Sequence, residues 1–456
     1  GAGMGPGGAG GATGGSGGSL GAGAAANGAS CERGGLCASG HCLRGMCAAP
    51  PNWGAVQALG TLTGPPSVAM PEFGKAAVAW NYDLGDQVYA NVATNKTFGT
   101  AQRIDTQTGS VNNMDPTVAY AGSQKYLVTW SETVSNGDYD AWMRVHDGSW
   151  GMPIDVDGTD LDMGNVTLAT NLSGNGALLW LDRSQGTLLG KLVTGTTLGA
   201  QVDGFGYSFG RSVGVSPSGR VAVAWCLAVT ATNDLWVRTY TPGVGWSAAQ
   251  EAWRGTLQRS CEDTRVAIND AGEIMVTWES RIGVRVPMGA FRTAAGAWEY
   301  DLLADTAGTN SASFPRPVFS ASGALMVSWT WFDSTRPSDR CYLHYRVRSG
   351  GRWTPVVEVD ACSYDDAGNA LATYDYESFR MIYAKDPDAA PGVELWEARY
   401  VGGKGVVEKR RIAPAVPVTF GFNLALDADG RGLLAWVYKD DTFPAAPGEV
   451  RAMWLE

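Results

Sequence analysis

The chain has 456 residues and a formal net charge of −11, so nucleic acid and anionic membrane surfaces are repelled and are not expected as partners. With 62 glycines, 18 tryptophans and no long amphipathic helical run, the composition points to short strands joined by tight turns. No apolar run reaches the roughly 20 residues a spanning helix needs, so no membrane span is expected.

Residues 1–30 are almost entirely glycine, alanine and serine, a composition that behaves as a flexible tether and offers nothing to a core. Residues 31–50 form a second unit, with Cys31, Cys37, Cys42 and Cys47 spaced closely among glycines. The spacing lacks paired C-x-x-C knuckles and His41 is the only nearby imidazole, which favours disulfides over zinc; all three connectivities are open. The segment CERGGLCASGHCLRGMC resembles the short Dickkopf-type cysteine-rich motif found ahead of repeat domains in secreted bacterial proteins, and that resemblance implies export.

Residues 51–456 carry one pattern eight times: a short apolar run that ends in an aromatic, at Trp80, Trp130, Trp180, Trp225, Trp278, Trp329, Tyr383 and Trp436. Six copies place a glycine ahead of the run, as in GRVAVAW to Trp225 and GEIMVTW to Trp278, whereas the copies at Trp130 and Tyr383 lack it. The anchors recur at about 50 residues, the period of a four-stranded propeller blade. Within each unit the inner strand A precedes the glycine, strand B is the apolar run, strand C alternates as in LWVRTY, and strand D opens on a second apolar anchor.

Those second anchors are Phe98, Trp150, Leu198, Trp246, Trp298, Trp353 and Val407, one fewer than the first series, and the chain ends before another can follow Trp436. A strand-like segment from Asn52 to Gln57, with no A, B or C before it, supplies the missing D strand. The expectation is an all-β, eight-bladed propeller closed by its N-terminal strand, with seven blades as the alternative count.

The B–C and D–A connections of a propeller share one rim. Cys226 and Cys261 fall in such connections of the fourth blade, and Cys341 and Cys362 in those of the sixth, so the disulfides Cys226–Cys261 and Cys341–Cys362 are expected, in an oxidising, extracellular or cell-surface setting. The same rim should carry Arg211, Arg265 and Arg316, each near the start of an inner strand on three consecutive blades. Guanidiniums so placed suit a carboxylate or sulfate, which arginine grips bidentately; the alternative is pairing with Asp263, Glu279 or Asp333.

The stretch TRVAINDAGEIMVTWESR (264–281), with SFPRP at 313–317, is similar to the arginine and F-R-I-P region of sialidase-type propellers. That resemblance implies six blades, a Tyr/Glu nucleophile pair and S-x-D-x-G-x-x-W turns, and the chain departs from F-R-I-P and from that turn spacing.

Rings on the same connections, Phe205, Tyr207, Phe209 and Trp331, together with Asp333 and Asn423, would suit stacking on a sugar and bonding its hydroxyls, with structural filling as the competing role. Asp155, Asp157, Asp160 and Asp162 surround a turn glycine, a weak Ca²⁺ pattern with no distal glutamate; no other cofactor is expected. The three histidines, His41, His146 and His344, lie away from this rim, while acids after the B strands, among them Asp83, Glu132, Asp182, Glu279, Asp386 and Asp440, leave paired-carboxylate chemistry open.

The sequence therefore supports an exported binding propeller for a glycan or another extracellular polymer. A polysaccharide hydrolase or lyase is the enzymatic alternative, and a surface protein whose N-terminal arm packs on a protein partner is the structural one.

Overall fold

In the computed structural model, residues 51–456 are described except 63, 83–86, 106–112, 134–137, 159–161, 204, 207, 230–231, 256–260, 283, 304–310, 334–340, 364–368, 375–376, 387–391, 417, 428 and 440–447. Ahead of them, only 28–30, 37, 42–43, 46–47 and 49 are described, so residues 1–27 of the glycine-rich arm and its proposed protein contact lie outside the described residues.

The repeated apolar runs become central strands because both of their faces are covered by neighbouring sheets. In the fourth copy every residue from Val221 to Cys226 is buried, and all eight aromatic anchors are at most 2% exposed. Each anchor belongs to an antiparallel sheet ordered A-B-C-D, and there are eight such sheets. The inner strands are Ser67–Glu72, Asn113–Tyr120, Met163–Thr170, Ser208–Val215, Glu262–Ile268, Ser311–Phe319, Asn369–Thr373 and Val418–Leu426, one for each of blades 1 to 8.

The core has no single centre. It divides into eight apolar layers, one between each pair of neighbouring blades, and one of them joins blade 8 to blade 1 through Trp80, Leu433 and Trp454. That layer closes the ring, and the eight-blade count stands over seven and over the six that sialidase similarity implied.

Closure is made by strand Trp53–Leu62, which pairs antiparallel with Gly448–Leu455 as the D strand of blade 8. Its register sets Trp53 against Leu455 and Gln57 against Ala452, and Asn52 and Glu456 exchange two backbone hydrogen bonds of 2.7 Å. The strand runs five residues beyond the segment ending at Gln57 and completes the four strands of blade 8.

The turn between strands A and B needs a left-handed residue, which Gly219 (φ 87°) and Gly272 (φ 83°) supply. At Trp130 the missing glycine is replaced by a different turn: Ser123 (φ 50°) and Gln124 (φ 63°) both adopt left-handed backbone between Gly122 and Lys125, whose N–H bonds the Gly122 carbonyl. Two positive φ values in a hairpin are the type I′ pattern, for which Asn-Gly is favoured. The exposed double substitution S123N/Q124G is expected to stabilise the protein by about 1 kcal/mol. A urea midpoint that does not rise, at unchanged slope, would show that the turn carries no such strain.

Two disulfides lie on the rim of the B–C and D–A connections. Cys226, within strand Val221–Val229, bonds Cys261, which directly precedes the inner strand of blade 5. Cys341 and Cys362 are cross-strand neighbours in blade 6 and bond each other. In the N-terminal segment Cys37 bonds Cys47, and Lys404 of blade 7 donates to the Cys37 carbonyl at 2.7 Å; Cys31 lies outside the described residues, as does the side chain of Cys42.

Candidate functional site

Around the channel, one position on each inner strand pairs with the B-strand residue just before the aromatic anchor. In chain order these are Ser67, Thr117, Thr167, Ser212, Arg265, Arg316, Ala370 and Asn423. Arg265 and Arg316 thus stand at equivalent places on adjacent blades. Arg211 does not: it pairs with Trp225, one residue earlier, so its side chain leaves the other face of its sheet. The three arginines expected to form one group divide into a pair and a neighbour.

The pair is set by two bulges. In blade 5, Asp263 and Thr264 together oppose one B-strand residue, and in blade 6 Phe314 and Pro315 do the same. Asp263 (φ 43°) and Phe314 (φ 57°) hold left-handed backbone there, a strain of order 1–3 kcal/mol each that the surroundings must hold in place. At the Phe314 bulge they do so from three sides. Buried Glu279 accepts the Phe314 N–H at 2.8 Å, Asn369 of blade 7 donates to the Phe314 carbonyl at 3.2 Å, and Thr277 donates to the Pro315 carbonyl at 2.9 Å. Asn369 is itself oriented by the Ser328 hydroxyl at 2.7 Å.

Past these bulges, Arg265 pairs with Asp263 at 2.7 Å. Arg316 makes no hydrogen bond or ion pair among the described residues, and its Nε is buried without a partner. Burial pushes the Arg316 guanidinium down to about 10, the like charge of Arg265 adds to this, and Asp263 opposes it. Arg316 therefore stays cationic at neutral pH. Burial likewise raises Glu279 above the usual carboxyl range, helped by Asp263 and Glu262 and opposed by the Phe314 N–H and by Arg285, 3.6 Å away.

Arg211 has a different companion, Arg183, which the sequence did not single out. The backbone N–H of Arg183 bonds the Asp162 carbonyl at 2.6 Å, and its guanidinium lies 4.3 Å from the centre of the Tyr139 ring. The side chain crosses the start of the blade 3 inner strand at Gly164, where an added Cβ would come within 2.5 Å of the Arg183 Nε. Burial and then Arg183 push Arg211 down to about 10. A positional signal existed, since Arg183 directly follows the B-strand acid Asp182.

The aromatic candidates fare differently. Phe205 is 1% exposed and packs edge-on against Trp225 and Trp246, so it fills the layer between blades 3 and 4 instead of offering a face to a sugar. Trp331 is half-buried, and its ring stacks on His344 at 5.8 Å. Tyr207 and the side chain of Phe209 lie outside the described residues. Asp333 follows strand Leu325–Phe332 and is engaged within the protein, and half-buried Asn423 takes its place in the ring of inner-strand positions.

Several rim acids have structural work. Glu132 accepts the Trp130 Nε1–H at 2.8 Å, and Asp182 accepts the Ser184 hydroxyl at 2.6 Å and the Gln185 N–H at 3.1 Å. Asp83 and Asp440 lie outside the described residues. The described members of the candidate calcium turn do not form a cation cage: Asp155 caps its own turn by accepting the N–H groups of Asp157 and Gly158, and Asp162 accepts the Tyr139 N–H. Asp157 is buried, Asp160 lies outside the described residues, and no three potential ligands converge among the described ones. His146, packed beside Trp150, is pushed down by burial.

No protein-family model matches the chain, and no curated protein matches it. Solved structures do. The polysaccharide lyase Uly1 superposes with a TM-score of 0.51 at 10% identity over 89% of this chain and 92% of that one. A PL25 ulvan lyase gives 0.48 at 11% identity over 89% and 96%, and the Penicillium chrysogenum α-L-arabinanase complexed with arabinobiose gives 0.39 at 9% identity over 88% and 98%. At these identities the likeness is one of fold, and the propellers it reaches include glycan-acting ones.

Proposed function

We propose that the protein is an exported glycan-binding propeller whose ligand places an anionic group between Arg265 and Arg316. The observation that carries this is the Arg316 guanidinium, partly desolvated, set beside a second guanidinium and given no carboxylate of its own. Bringing like charges together away from water is unfavourable, and a bound carboxylate or sulfate relieves it through charge-assisted, bidentate hydrogen bonds. In a chain of net charge −11 such a pair is a local exception that steers anions to one place on the ring. The disulfides support export, since such bonds persist in oxidising compartments.

Cleavage is a second reading, favoured by one observation. Asp263 pairs with Arg265, and burial together with the Asp263 charge drives Glu279 toward its protonated form, the state of a general acid. The Phe314 N–H and Arg285 already hold both Glu279 oxygens, which suits a positioning role better.

A panel of neutral, carboxylated and sulfated polysaccharides tests both. Retention of the anionic polymers alone, weakening with added salt, is expected, with no new chain ends formed. Equal retention of neutral and anionic polymers would remove the proposed site, and the appearance of unsaturated or reducing ends would shift the assignment to an enzyme.

A further inference from the structure

The two arginine groupings lie on the same rim. Arg183 directly follows strand B of blade 3, Arg211 lies near the start of the blade 4 inner strand, and Arg265 and Arg316 follow on blades 5 and 6. Four consecutive blades thus each bring one guanidinium to the channel mouth. At the ring positions themselves only Arg265 and Arg316 are charged; the other six, Ser67, Thr117, Thr167, Ser212, Ala370 and Asn423, are neutral. Among the described residues, these four guanidiniums therefore lie side by side on blades 3 to 6.

Arg183 is also fixed in place. The Tyr139 ring supports one face of its guanidinium, Gly164 leaves the room it occupies, and the Asp162 carbonyl holds its backbone. A long side chain held this way loses little further freedom when it takes up a ligand.

We infer that Arg183, Arg211, Arg265 and Arg316 form one arc of binding sites, and that the ligand is a linear polyanionic polysaccharide whose successive charges engage both groupings. This rests on the anion-binding reading of Arg265 and Arg316 and adds to it a required chain length. The arc crosses three interblade gaps, more than one sugar ring bridges, so a single charged sugar reaches only part of it. Linking a second charged unit makes its binding intramolecular, which raises affinity steeply with chain length.

The test is a titration of the full chain with galacturonate oligomers of two and six units, repeated on R183A/R211A. Polygalacturonate and dextran sulfate arms separate carboxylate from sulfate recognition. Wild type is expected to bind the hexamer at least about 10-fold tighter than the dimer. In R183A/R211A the hexamer should fall to the dimer's level, with a salt dependence shallower by roughly two ion pairs. R183K/R211K, which keeps the charges, should retain most of the gain, and R183Q alone serves if the alanine pair fails to fold. No gain with length, or a gain that survives R183A/R211A or R183Q, overturns the arc while leaving the Arg265–Arg316 site standing. Failure of wild type to bind any anionic oligomer or polymer overturns both.

Discussion

Replacing Arg265 and Arg316 together with alanine is expected to abolish binding of anionic polysaccharide, a loss of at least about 100-fold. Each guanidinium contributes charge-assisted hydrogen bonds of about 1.5–3 kcal/mol, and the two together exceed the roughly 2.7 kcal/mol that this factor represents. The fold should survive. Arg316 has no partner among the described residues and Arg265 has only Asp263, so their removal strands no buried charge. R265K/R316K should recover part of the affinity, since lysine keeps the charge but not the planar fork. The pH profile follows from the same physics: with Arg316 pushed down only to about 10, binding should stay level from about pH 5 to 9. It should fall at the acid end as ligand carboxylates protonate, and at the alkaline end only as Arg316 loses its proton. Full retention by R265A/R316A, with an unchanged melting temperature, would remove the site.

The largest loss of stability should come from E397Q. Glu397 is 1% exposed and takes hydrogen bonds from three sides: from Arg380, itself fully buried in strand B of blade 7, from Arg410 at 2.7 Å, and from the Trp53 indole at 2.9 Å. Arg410 also donates to the Pro51 carbonyl and the Asn52 side chain, so this carboxylate anchors the closing strand to the neighbouring blade. Neutralising it leaves Arg380 as an uncompensated buried charge, a cost of about 3–5 kcal/mol. Denaturant unfolding should show that loss, and proteolysis should open the chain first near residues 51–62. R380M/E397L, which removes both charges together, should restore most of the stability. A loss below about 1 kcal/mol for E397Q would mean that the ring closes on its backbone pairing alone.

Arg380 also shows how much of the chain was legible before its structure was known. An arginine inside FRMIY, a run otherwise buried on both faces, requires a partner, but nothing local points to Glu397 or to Trp53, more than three hundred positions away. Arg211 shows the opposite failure. Its distance from the blade glycine differs by one from those of Arg265 and Arg316, and in a strand one residue is the difference between two faces. Phe205 was legible as an aromatic in a connection and not as a core residue, because the rings that enclose it, Trp225 and Trp246, belong to the next blade.

The sequence alone determined the blade: the glycine turn, the doubly buried strand, the aromatic anchor, the count of eight and the N-terminal strand that closes them. These follow from hydrophobic period and turn chemistry, which act between residues near one another in the chain. It also placed Cys226 with Cys261 and Cys341 with Cys362, because within one blade position along the chain maps directly onto position in space. Only the tertiary structure decided which rim side chains meet. That choice depends on bulges at Asp263 and Phe314, and the strained backbone at Phe314 is held by Glu279 of blade 5 and Asn369 of blade 7. A bulge of one residue turns a side chain to the other face, and the contacts that hold the one at Phe314 come from the two neighbouring blades.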